Sequence, residues 1–135
     1  MTANAAANKV QIRRLVNDWA KAVRAKDIDG ALSHHARDMV MFDVPFPLQS
    51  RGIKAYRKTW ELFFENVAGG GGSFNLDQLR VTAGEMVAFC HALLRIGGAK
   101  NPTGRLTIGL RKIRGRWLIT HEHHSYPVEN AAMTA

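Results

Sequence analysis

One cysteine, Cys90, stands in 135 residues, so the chain can form no internal disulfide and no cysteine-based metal cage. It lies inside an apolar run, Met86 to Ile96, where a thiol reads as a small buried hydrophobe rather than a nucleophile. Proline is scarce as well, with four in all, and two of them sit together in Val44-Pro45-Phe46-Pro47, which confines the break in regular pairing to one loop. No apolar stretch nears the ~20 residues needed to cross a bilayer, which argues against a membrane-spanning protein. Met1 to Asn8 has neither a basic start nor an apolar run, so it reads as a disordered, frayed terminus rather than a signal peptide.

Acidic residues are also few, 11 against 19 lysines and arginines, for a net charge of +8. A nucleic-acid surface would gather those cations into a stripe with interleaved aromatic residues. Here they are dispersed. Lys9, Arg13, Arg14, Lys21 and Arg24 fall on a first helix, Arg51 to Lys58 on another, and Arg111 to Arg116 around a hairpin tip. Solvated faces that keep the protein soluble account for them, and nucleic acid is not an expected partner. The run Gly69 to Gly72 lacks the lysine and hydroxyl residue of a phosphate loop, so no nucleotide cofactor is assigned.

With 46% hydrophobic residues, the chain has enough to build one core. Ile12, Leu15, Val16, Trp19 and Val23 recur at three- and four-residue steps, which predicts an amphipathic helix over about 8–25. Asp27 caps a short second helix expected to run through His35, with His34 and His35 at its end for favourable dipole interaction. A strand is predicted over Met39 to Asp43. A third helix opens at Gly52, with Ile53, Tyr56, Trp60, Phe63, Phe64 and Val67 as its inner stripe. Four strands follow, over 73–82, 85–96, 105–113 and from Arg116 on. Helices first and strands later signal an α+β fold with helices on one face of an antiparallel sheet, in one domain over 9–128 with a flexible tail over 129–135.

The last strand carries the densest chemistry: Thr120-His121-Glu122-His123-His124-Ser125-Tyr126-Pro127. Alternation puts His121 and His123 on one face and Thr120, Glu122 and His124 on the other, but both faces are mixed, so periodicity alone leaves the inward face open. His121 and His123 have a chelating spacing, with His91 the only other strand histidine on that face. An interface with a second copy would equally bury them, and no metal is assigned.

The helix–helix–strand–helix order with a closing meander resembles the nuclear-transport-factor-2-like superfamily, in its SnoaL-like and ketosteroid-isomerase-like branch. The marks are Ala25-Lys26-Asp27-Ile28-Asp29-Gly30, Phe42-Asp43 followed by Gly52, and the ending Gly-x-Trp…His-x-His-x-Ser-x-Pro, with 9–128 covered. That ending, with Phe64-Glu65-Asn66, is also similar to the hub domain of calcium/calmodulin-dependent protein kinase II. The resemblance implies a cone-shaped α+β barrel, its three N-terminal helices packed in a strongly curved antiparallel sheet around an apolar cavity. It further implies a homodimer joined through the outer sheet face; with no targeting segment or membrane span visible, the protein is expected to be cytoplasmic.

It also implies a site. The hub comparison turns Thr120, Glu122 and His124 inward and puts Trp60, Leu94 and Ile108 at pocket positions. Ketosteroid isomerases carry their base nine residues before a glycine, as Asp43 precedes Gly52. A carboxylate held against Trp19, Phe46, Trp60 and Phe64 would be desolvated and a stronger base. Asp43 could equally cap the proline-rich loop. The isomerase's tyrosine position holds Trp19, and its second donor position falls near Thr107 or Ile108, so steroid isomerisation itself is not matched. The expectation is a small, largely apolar, ring-containing ligand, with Asp43 as base, His124 as acid or donor, and Glu122 orienting His124. A polar cluster satisfied by backbone or water is the structural alternative for Glu122 and His124. A non-catalytic binding or assembly module is the alternative function.

Overall fold

A computed structural model describes residues 3–128. The first helix, α1 (Ala3–Arg24), buries Ile12, Val16, Trp19 and Val23 along the predicted stripe. It begins well before the expected start: Ala5 and Asn8 are buried, so the segment read as a frayed terminus is helical from Ala3. Asn8 explains why. Its amide donates to the Gly84 carbonyl, and its carbonyl accepts from Trp117 Nε1 and Lys112 Nζ, tying the helix to the far end of the sheet. The expected tail over 129–135 lies outside the described residues.

The second helix, α2 (Ile28–Leu32), is capped by Asp27, whose carboxylate accepts from the Gly30 amide at 3.1 Å. Glycine is required at position 30, because a Cβ there would stand 2.5 Å from Asp27 Oδ2 and 2.8 Å from Ala22 Cβ. The helix does not run through His35. Ser33 is already extended, and His34 takes a left-handed φ of 58°, which turns the chain into β1 (His35–Phe42). A short β2 (Ser50–Arg51) then precedes α3 (Ile53–Asn66), followed by β3 (Phe74–Ala83), β4 (Val87–Ile96), β5 (Gly104–Ile113) and β6 (Arg116–Ser125).

The six strands form one curved, unclosed sheet in the order β2-β1-β6-β5-β4-β3, with helices packed against its inner side. β3 to β6 are the antiparallel meander, whereas β1 joins β6 in parallel. Ala88, Cys90, Ala92 and Leu94 of β4 turn inward, and Val87, Phe89 and His91 turn outward. Burial and the Glu122 charge push the Cys90 thiol up to about 12, so it stays protonated and inert.

A bulge in β6 decides which residues reach the core. His121 pairs with Gly109 and Ile119 with Leu110, which leaves Thr120 as the extra residue. Below it, Trp117 and Ile119 are buried; above it, Glu122 and His124 are. Strict alternation would have sent Thr120 inward with Glu122. Instead it is half-buried and donates its hydroxyl to the Gly109 carbonyl at 3.3 Å.

Candidate active site

Glu122 is fully buried, and three donors converge on its carboxylate. His35 Nε2 lies 2.5 Å from Oε2, the Tyr56 hydroxyl donates to the same oxygen at 2.6 Å, and His124 Nε2 lies 2.9 Å from Oε1. Each donor comes from a different place: His35 opens β1, Tyr56 projects from the inner face of α3, and His124 is two residues along β6. Trp19 of α1 completes the cluster by donating its indole N–H to the Tyr56 oxygen at 3.0 Å. That bond fixes the Tyr56 hydroxyl as acceptor from Trp19 and donor to Glu122, because an indole can only donate.

Burial alone would raise the Glu122 pKa. The hydrogen bonds and charges of His124 and His35 more than reverse that and hold it at about 2, so the group is a carboxylate at neutral pH. The same burial, with the Glu122 charge next to it, drives the Tyr56 phenol well above its ordinary value and keeps it protonated. The indole nitrogen of Trp60 faces that phenol and would favour its ionised form, but lies outside hydrogen-bond geometry. It is the one buried side-chain polar atom among the described residues without a partner.

His124 sits between this polar cluster and open space. Its ring meets the edges of Trp19 and Trp60 at centroid distances of 6.2 and 6.0 Å, which holds it in one orientation. It forms part of the floor of a mainly apolar cavity of about 480 Å³ whose walls include Trp60, Phe63, Phe74 and Leu94. The proline-rich loop forms the lip, where Phe46 is 93% exposed. Lys58, Tyr126 and Asp43 stand there too. Burial, and then the Asp43 charge, raises the Tyr126 phenol.

Of the residues expected at a ligand, Asp43, Phe46, Trp60, Leu94 and His124 line this cavity. Trp19, Phe64, Ile108 and Thr120 do not. Trp19 is 2% exposed and spends its N–H on Tyr56, while Ile108 is wholly inside, opposite Glu122 in the β5–β6 ladder. Phe64 packs behind Trp60, with centroids 6.1 Å apart, and Thr120 is displaced by the bulge. Glu122 lies behind His124 with no contact to the cavity.

Asp43 is not packed against Trp19 or Phe64 as the desolvated base was expected to be. It is half-buried at the lip, and its Oδ1 accepts from the Val44 amide at 2.8 Å, so it caps the loop while facing the cavity. His35 is no helix-end residue but a member of the buried cluster. Neither it nor Tyr56 was singled out for chemistry in the sequence. The available signal was Tyr56 itself, since a tyrosine on a buried helix stripe needs a partner for its hydroxyl.

On the outer face, Phe42 stacks edge-on against His121 and His123 at 4.8 and 5.4 Å. His121 Nδ1 donates to the Val40 carbonyl at 2.7 Å. His91 aligns with Thr107, and Thr107 with His123, so His91 and His123 stand two strands apart, and no group of three or more His, Cys, Asp or Glu among the described residues is placed to hold a metal ion.

The SnoaL-like domain model matches residues 12–129, and the chain belongs to the SnoaL-like family of the nuclear-transport-factor-2-like superfamily. A crystal structure of an NTF2-like protein of unknown function from Pseudomonas putida KT2440 is 35% identical over 94% of this chain and 92% of that one, with a TM-score of 0.84. A ketosteroid isomerase-like protein from Erwinia carotovora atroseptica shares the fold at 18% identity, with 90% and 97% covered and a TM-score of 0.71. So does a candidate scytalone dehydratase from Novosphingobium aromaticivorans, at 17% identity, with 95% and 89% covered and a TM-score of 0.73. No curated protein matches the chain. No helix among the described residues is long and apolar enough to cross a membrane.

Proposed function

We propose that this protein binds a small, largely apolar, ring-containing molecule in the cavity and moves a proton next to a carbonyl, in an isomerisation, cyclisation or hydration–dehydration reaction. One observation carries the reading: His124, on the floor of an apolar cavity, is gripped from behind by the buried Glu122 carboxylate at 2.9 Å. A carboxylate there orients the imidazole and stabilises the cation formed when it takes a proton. The aromatic walls suit a flat ligand and exclude water from the proton's path. Asp43 at the lip is the second acid–base group, with Oδ2 free of any hydrogen bond among the described residues. The isomerase and dehydratase names carried by proteins of the same fold support this class of chemistry and do not narrow it.

The same proposal includes a cytoplasmic homodimer joined through the outer sheet face. Phe42, Val87 and Phe89 are exposed there and would be covered by a second copy. The single buried thiol suits a reducing compartment.

The test is hydrogen exchange. Incubated in D2O with a panel of cyclic ketones and hydroxylated aromatics, the wild-type protein should speed exchange at carbon next to the carbonyl. His124→Gln should lose 10²–10⁴-fold of that rate, the usual contribution of a positioned acid–base group. Asp43→Asn should lose turnover with its melting temperature within a few degrees of wild type. Equal rates in His124→Gln and wild type would overturn the reading.

A further inference from the structure

We infer that Ser50 and Thr59 form a hydroxyl-binding subsite in the wall of the cavity, so that the ring-containing ligand carries a free hydroxyl group apart from the carbonyl that meets His124. This deepens the proposed function by naming a feature of the substrate, and it rests on the cavity being the ligand site.

Both residues line the cavity and come from separate elements that meet beside it: Ser50 from β2, and Thr59 from α3, one position before Trp60. Ser50 pairs with Met41, and Met41 with Glu122, so β1 stands between Ser50 and the strand that carries His124. A ligand that touches both Ser50 and His124 therefore reaches across the cavity.

The evidence is unspent hydrogen-bonding capacity. Ser50 is 7% exposed, yet its Oγ has one partner among the described residues, Thr59 Oγ1 at 3.5 Å. That is beyond the ~2.5–3.0 Å span of an O–H···O bond, and a hydroxyl kept from water without a close partner is unfavourable. The direction of the contact is fixed at its other end. Thr59 Oγ1 donates to the Ala55 carbonyl at 3.2 Å, one turn back along α3, and a carbonyl can only accept. The Thr59 oxygen is thus left as an acceptor, and the Ser50 hydrogen is free to be given. A ligand hydroxyl answers both, because it accepts from Ser50 and donates to Thr59, which passes its own hydrogen to Ala55. A ligand carbonyl or ether oxygen can use only the first of these bonds.

Other polar side chains at the cavity are already satisfied. Lys58, Asn66 and Tyr126 are exposed and open to hydration, and Ser125 accepts from Arg105 Nε at 3.1 Å. His124 and Asp43 belong to the acid–base pair described above. The two hydroxyls are what the ligand's remaining polar group has to meet.

Isothermal titration calorimetry with 1-tetralone, its 6- and 7-hydroxy derivatives and their methyl ethers tests this. In the wild type, one hydroxytetralone should bind about tenfold tighter than both its ether and the parent ketone, the worth of one hydrogen bond. Ser50→Ala removes the donor, and Thr59→Val removes the acceptor while keeping the shape. In each variant that preference should vanish.

Equal affinities across the series in the wild type overturn the inference, and so does a hydroxyl preference that survives in either variant. If one variant fails to fold, the other decides. The titration needs no turnover, so its outcome is separate from that of the exchange assay. Binding without a hydroxyl preference sinks the subsite alone, whereas no binding by any tetralone sinks the cavity as the ligand site and the subsite with it.

Discussion

His35 and Glu122 are 87 positions apart in the chain and meet at 2.5 Å in its interior. The contact exists because β1 runs parallel to β6, which sets the first residue of one strand beside the buried half of the other. A left-handed turn at His34 aims the imidazole inward. Around this pair the protein gathers the polar groups that lie beneath an otherwise apolar pocket, and the stability of the fold depends on keeping them matched.

Glu122→Gln tests the matching directly. The substitution keeps the shape but removes the buried anion and turns one of its two acceptor oxygens into an amide donor, which then faces either His124 or the pair His35 and Tyr56. Breaking a buried pair in this way costs about 3–5 kcal/mol. Urea unfolding should show a loss in that range, and a loss below 1 kcal/mol would mean that the cluster is not charged.

Tyr56→Phe removes one atom with two bonds. Glu122 loses a donor, and the Trp19 indole N–H loses its acceptor and becomes a buried orphan. The expected cost is about 2 kcal/mol, with little change in volume. Trp19 fluorescence should shift as the indole loses its hydrogen bond, and an unchanged spectrum and midpoint would refute the bond.

Stability should depend on acid in a defined window. The Glu122 pKa is lowered from 4.5 to about 2 on folding, so its contribution is complete above about 4.5 and drains away as pH falls toward 2. Unfolding free energy measured from pH 7 downward should therefore be flat with respect to this group to about pH 5 and then decline. In Glu122→Gln the decline should be shallower. An identical slope in both proteins would assign the acid sensitivity elsewhere.

Gly104→Ala probes the lip of the cavity. A Cβ at this position would stand 2.9 Å from Tyr126 Cε1 and 3.1 Å from Leu94 Cβ. The tyrosine ring can swing away, whereas Leu94 is held in β4, so overpacking should cost ~1–3 kcal/mol and shift Tyr126 off the mouth. Ligand affinity should change with it, as read by titration of the same ring compounds. A variant with wild-type stability and affinity would show that the lip is soft.

The helices, the meander and the sharing of one strand face by Glu122 and His124 follow patterns visible along the chain, because amphipathic stripes and two-residue alternation are local properties; that this face turns inward was implied only by the family resemblance. The helix expected to end at His35 and the inward Thr120 were misread for a common reason. A left-handed residue and a bulge each reverse a direction at one position while leaving the hydrophobic pattern on either side intact. Asp43 was legible either as a residue at the cavity or as a cap of the proline-rich loop, and the folded chain has it do both.

What the amino-acid order settles unaided is which side chains can share a helix stripe or a strand face, since that depends only on spacings of a few residues. The meeting of His35, Tyr56 and His124 on one carboxylate required three elements to be folded against one another. Their proton positions required it too, because a proton's place is set by the acceptors that tertiary packing brings within reach, and no sequence interval encodes that distance.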